Sequence, residues 1–159
     1  QTSCYMVSRQ LVYESGGWKE NLLMNQDGDF FSRILMIASK AYFISNAKVY
    51  YRIGEYSTVS KANSENKLVS LLDSYISYKE NALIHKDNLR VRKALSYNFT
   101  YFIYLYGNKY PALYKKAKDQ VENLGVGFQL RKKSPRIRFV SKILGFENLM
   151  AIRRIISKE

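Results

Sequence analysis

Cysteine is nearly missing from this chain: Cys4 is the only one in 159 residues. An internal disulfide is therefore excluded, and the chain fits a reducing compartment. Histidine is as scarce, and His85 and Cys4 cannot between them build a metal site. No apolar run reaches the roughly eighteen residues that span a bilayer, and no signal-peptide pattern opens the chain. Internal repeats and low-complexity tracts are absent too. Acidic residues are short, with 13 Asp+Glu against 26 Lys+Arg and a net charge of +13. Such an excess favours anionic partners. Nucleic acid is set aside, because no helix-turn-helix, zinc or RNA-sheet signature accompanies the charge.

What is present is 47% hydrophobic and 14% aromatic, enough for one core or for part of one with an appendage. The chemistry concentrates early. Gly16-Gly17-Trp18-Lys19-Glu20 is followed by Asn25-Gln26-Asp27-Gly28-Asp29-Phe30-Phe31-Ser32-Arg33. Phe30, Phe31, Ile34, Leu35 and Ile37 then recur at helical spacing. The pattern predicts a loop feeding a buried helix, with the carboxylates at its mouth. Asp27 or Asn25 can cap the first turn, and the helix dipole favours acid there.

This ordered set, completed by Tyr50-Tyr51-Arg52, resembles the C-terminal half of a family 2 glycosyltransferase catalytic domain, which has the GT-A fold. The likeness covers about residues 1–61. It implies an α/β fragment, the acceptor side of such a domain, followed by an all-α helical extension, so that the chain is mostly helical. It also implies that Asp27 is the catalytic base of an inverting transfer. Single displacement needs one carboxylate to take the acceptor proton while that oxygen attacks the anomeric carbon. Trp18 is a platform for a sugar ring or plain core. Glu20 bonds an acceptor hydroxyl or caps a turn. Gln26 stands where an acid is common and can still hydrogen-bond substrate. Asp29 is a substrate contact, an N-terminal helix charge or a partner behind the base. Arg33 contacts phosphate or braces the loop through a carboxylate. Arg52 takes a diphosphate contact or solvates a strand end.

The resemblance implies a nucleotide-diphospho-sugar donor, a glycan acceptor and a divalent metal, manganese or magnesium, bound mainly outside this chain. The family's Asp-x-Asp is not found in its expected place; Asp27-Gly28-Asp29 has that spelling but sits where the base belongs. The abrupt start leads us to expect a fragment that is inactive alone. No Gln-x-x-Arg-Trp motif follows, which favours a single-sugar transferase over a polymer synthase.

In chain order, residues 2–7 read as a short strand and 8–15 as a helix stopped by Gly16. Arg9 faces the site or solvent. Residues 41–44 and 48–52 read as strands around a Ser45-Asn46 turn, and 57–61 as a loop over the donor site. Beyond residue 62 the texture is helical to about 128. Leu68, Leu71, Leu72, Tyr75, Ile76 and Leu83 lie close to one stripe, capped by Asn63 or Ser64. Leu95, Phe99, Phe102, Ile103 and Tyr106 form a second. Pro111 opens a third helix with Leu113, Ala117, Val121 and Leu124 inward, closing at Gly125. The tail from 129 to 159 mixes apolar and basic residues, and suits a helix on an acidic membrane face or packing on a partner. A cytoplasmic place, with the inner membrane face left open, is expected, and so is a choice between monomer and homo-oligomer. The alternative to the transferase is a non-catalytic, basic helical interaction or membrane-surface module.

Overall fold

The computed structural model describes residues 2–50, 64–130 and 135–156. Among them there are seven α-helices, a short 3-10 turn at Thr2–Cys4, and no strand. The expected α/β fragment of a GT-A domain is thereby overturned: the described residues are helical and form no sheet. Residues 2–7 make the 3-10 turn and an irregular stretch, and 41–50 have no regular structure beyond the predicted turn at Ser45-Asn46. The physical reason is local. A strand is completed by hydrogen bonds from a neighbouring edge, and among the described residues these segments meet none. Arg52 and residues 57–61 lie outside the described residues.

The chain divides into two compact units, 1–81 and 82–159. In the first, α1 (Arg9–Glu14) starts where the Ser8 Oγ accepts from the Leu11 N–H at 3.2 Å. It ends at Gly16, whose φ of 79° lies in the left-handed region that glycine adopts without strain. The second helix, α2 (Gln26–Ile37), buries Phe30, Phe31 and Ile34 against Val7 and Val12, while Leu35 stays half exposed. The third, α3 (Glu65–His85), begins at Ser64, whose Oγ accepts from the Lys67 N–H at 3.4 Å. Its described contacts with the loop before α2 lie within residues 70–78.

The second unit is built on α4 (Leu89–Tyr106) and α5 (Pro111–Leu124), which lie against each other. Asn88 caps α4 by accepting from the Val91 N–H at 3.0 Å. Phe99, Phe102, Ile103, Ala117, Val121 and Leu124 are almost wholly buried, as their spacing predicts. Pro111 stands at the first turn of α5, and Gly125 ends it with φ 66°. Two shorter helices follow, α6 (Pro135–Leu144) and α7 (Phe146–Ile156). Phe146 stacks on Phe128 with centroids 4.5 Å apart, and Arg153 lies 3.8 Å over the Tyr104 ring. These contacts seat one face of α7 on its own unit.

Candidate functional site

The first unit holds an open cavity of about 530 Å³. Thr2, Trp18, Glu20, Leu22, Gln26 and Asp27 line it, with Lys19 at its side. Four of the residues singled out from the sequence, Trp18, Glu20, Gln26 and Asp27, therefore meet at one place. Two others, Asp29 and Arg33, do not line it, and Arg52 lies outside the described residues.

Trp18 is partly packed and partly exposed. One indole face stacks on Phe30 at 4.4 Å and 17°, which fixes the ring, while 46% of the residue remains exposed and it lines the cavity. Phe31 backs it edge-on at 6.2 Å. The indole is thus a rigid apolar plate carried by the α2 core.

Asp27 sits in the first turn of α2 and is exposed. One carboxylate oxygen accepts from the Gly28 N–H at 2.9 Å, and the other accepts from the Thr2 hydroxyl at 3.5 Å. The carboxylate therefore stays at the cavity wall, where the helix N-terminus favours its charge. Asn25 stands at the N-cap position, yet its side chain does not cap. It adopts φ 63° and donates Nδ2 to Ser74 Oγ at 2.8 Å and to Tyr78 Oη at 2.7 Å.

Asp29 is wholly buried. Arg33 donates to it twice, through Nε at 3.0 Å and Nη2 at 2.8 Å, and Lys19 Nζ approaches its other oxygen at 3.4 Å. Arg33 also donates to the carbonyls of Ser15 and Gly17. It is the bracing alternative, rather than a phosphate contact, that this geometry realises. Asp29 correspondingly stands behind the loop and holds its brace.

The sequence reading missed Lys19, Ser70, Ser74, Ser77 and Tyr78. Ser70 Oγ accepts from the N–H groups of Leu23 and Met24 at 2.7 and 3.2 Å, and Lys19 Nζ donates to Ser77 Oγ at 2.7 Å. The signal was available: small hydroxyl residues at 70, 74 and 77 recur at helical spacing beside the leucine stripe. Burial pushes the Tyr78 phenol up, and the Asp29 and Asp27 charges add to this against the lowering by the Asn25 hydrogen bond.

Both oxygens of Asp29 face cations, and no group of three or more His, Cys, Asp or Glu converges among the described residues. A second cavity, of about 430 Å³, lies in the second unit and is lined by Pro111, Tyr114, Glu147, Met150, Arg154 and Ile155. Its single carboxylate, Glu147, is held by Lys118 at 2.6 Å. Compared with protein-family models, with curated proteins and with solved structures, the chain matches none.

Proposed function

We propose that the first unit supplies the catalytic base and part of the acceptor site of an inverting glycosyl transfer. One observation carries the reading: two aspartates two positions apart have opposite environments. Asp29 is buried and bound by Arg33 and Lys19, whereas Asp27 is exposed on a cavity wall beside an indole plate. The proposal rests on this site and needs no sheet.

In the proposed step an acceptor sugar lies on Trp18, its apolar C–H face against the indole. Glu20 and Gln26 hydrogen-bond its hydroxyls. Asp27 takes the proton of the attacking hydroxyl as that oxygen bonds to the anomeric carbon. The bond to the nucleoside diphosphate breaks with its electron pair leaving on the diphosphate, and the configuration inverts. Donor binding, and any divalent metal, are assigned to residues other than those of this cavity.

Trp18 is the only tryptophan of the 159 residues, so the fluorescence of this chain reports the site directly. The complete gene product is assayed for transfer from uridine-diphospho-sugars with manganese, beside its Asp27→Asn variant. Loss of about 10²–10⁴-fold in kcat, with the fluorescence response of the 159-residue chain to acceptor oligosaccharide retained in the same variant, is the expected outcome. Full transfer by Asp27→Asn sinks the proposal.

A further inference from the structure

We propose that α6 and α7 form a docking element for an anionic bilayer surface, lying on it rather than crossing it. Each helix carries bulky apolar side chains turned to solvent. On α6 these are Phe139 and Ile143, each 65% exposed and one helical turn apart. On α7 they are Ile155 and Ile156, 73% and 67% exposed. Single exposed apolar residues are ordinary on protein surfaces, but two pairs of them on two consecutive, touching helices add up to apolar surface that gains by burial.

These exposed side chains differ from the ones that hold α7 in place. Phe146, Leu149 and Met150 are buried, and Arg153 is anchored by Tyr104, accepting no role at the surface: its Nη1 donates to the Tyr104 carbonyl at 2.5 Å. Ile155 and Ile156 flank this anchoring stripe and stay largely exposed, Ile155 at the rim of the second cavity.

Charge selects the occupant. Arg138, Lys142 and Arg154 are exposed among the apolar side chains. Glu147 is the only acidic residue from 135 to 156, and Lys118 neutralises it. The partner must therefore offer dense negative charge directly above an apolar layer. An anionic bilayer has that profile, whereas nucleic acid offers the charge without the layer. Side chains such as these enter the interface while the cations stay at the headgroups. No helix among the described residues is long and apolar enough to cross a membrane.

The test is co-sedimentation of the 159-residue chain with vesicles of phosphatidylcholine alone, and with vesicles of equal parts phosphatidylcholine and phosphatidylglycerol. The chain is expected to sediment with the anionic vesicles and much less with the neutral ones. Replacing Arg138, Lys142 and Arg154 by Gln weakens this about fivefold per charge removed. The pairs Phe139→Ser with Ile143→Ser, and Ile155→Ser with Ile156→Ser, each weaken it about tenfold or more at unchanged net charge. Circular dichroism confirms that the helices persist in every variant. Two results overturn the proposal: no sedimentation with anionic vesicles, including the case in which an acidic protein binds instead, or apolar variants that bind as the parent does, which reduces the effect to the overall charge of +13.

Discussion

Arg33 closes on Asp29 from one turn along the same helix, with two donors at 3.0 and 2.8 Å, and both side chains are nearly inaccessible to water. The same guanidinium reaches the backbone carbonyls of Ser15 and Gly17, so one residue ties the end of α1, the glycine turn and α2 together. Trp18 follows this turn directly. The brace thus fixes the position of the plate in the cavity without touching anything bound there.

Removing one partner leaves the other charged and buried. Asp29→Asn and Arg33→Ala are each expected to cost about 3–5 kcal/mol in urea unfolding. Arg33→Lys does not rescue, because an ammonium cannot serve the carboxylate and two carbonyls in the planar arrangement of a guanidinium. A loss below about 1 kcal/mol for Asp29→Asn counts against the brace, being the range of exposed pairs.

Asp27 is expected to behave oppositely. Its carboxylate is exposed, and an asparagine oxygen can still accept from the Gly28 N–H. Asp27→Asn should leave the unfolding midpoint within about 0.5 kcal/mol of the parent. The contrast between these two aspartates in one urea series separates a site residue from a structural one.

Gly28 carries a steric prediction. A Cβ there would collide with the Tyr78 hydroxyl and with the Asn25 side chain, which are hydrogen-bonded to each other above it. Gly28→Ala is expected to destabilise by about 1–3 kcal/mol. In a double-mutant cycle, Tyr78→Phe should recover part of the loss, since it removes one of the colliding atoms. Strict additivity of the two substitutions rejects this account.

Tyr78 also predicts an alkaline weakness. Burial, first among its causes, raises its pKa above the ordinary phenol value of about 10. The unfolded chain then loses the phenolic proton before the folded one does. The contribution is fully present below about pH 10 and is lost as pH rises through the folded value. Tyr106 and Tyr114 are raised by burial in the same sense. Stability measured by circular dichroism should fall above about pH 10, and Tyr78→Phe should make that fall shallower. An unchanged slope in Tyr78→Phe contradicts the assignment.

In the second unit, Thr100 Oγ1 accepts from the Gln129 N–H at 3.0 Å and donates to the Ser96 carbonyl at 2.8 Å. Thr100→Val keeps the shape but leaves that N–H without its acceptor. A loss of about 1–3 kcal/mol is expected. Thermal unfolding checks it, and a change within about 0.5 kcal/mol speaks against it.

The sequence by itself determined the helices and their inward faces. Ser8, Asn88, Pro111, Gly16 and Gly125 mark helix ends through interactions that span only a few residues, and the apolar stripes of α2, α4 and α5 repeat with the helical period. The sequence also brought out Trp18, Glu20, Gln26, Asp27, Asp29, Arg33 and Arg52 as a group; the first four share a cavity, Asp29 and Arg33 do not line it, and Arg52 lies outside the described residues. The rest was decided by contacts between residues far apart in the chain. Residues 2–7, 41–44 and 48–52 read as strands, but strand formation depends on a neighbouring edge, and for the described residues up to 50 that neighbour is not written in the segment itself. Asp29 and Arg33 carry an i,i+4 spacing that any exposed pair would show. Their burial, and the capture of the Ser15 and Gly17 carbonyls, appear only when α1 and α2 pack together. Likewise Ser70, Ser74 and Ser77 read as polar positions on a long helix, and only the approach of the loop at 19–25 turns them into the partners of Leu23, Asn25 and Lys19. Local periodicity and capping are short-range and leave their mark in the sequence. Which carboxylate is buried and which is left at the cavity is a property of the packed chain.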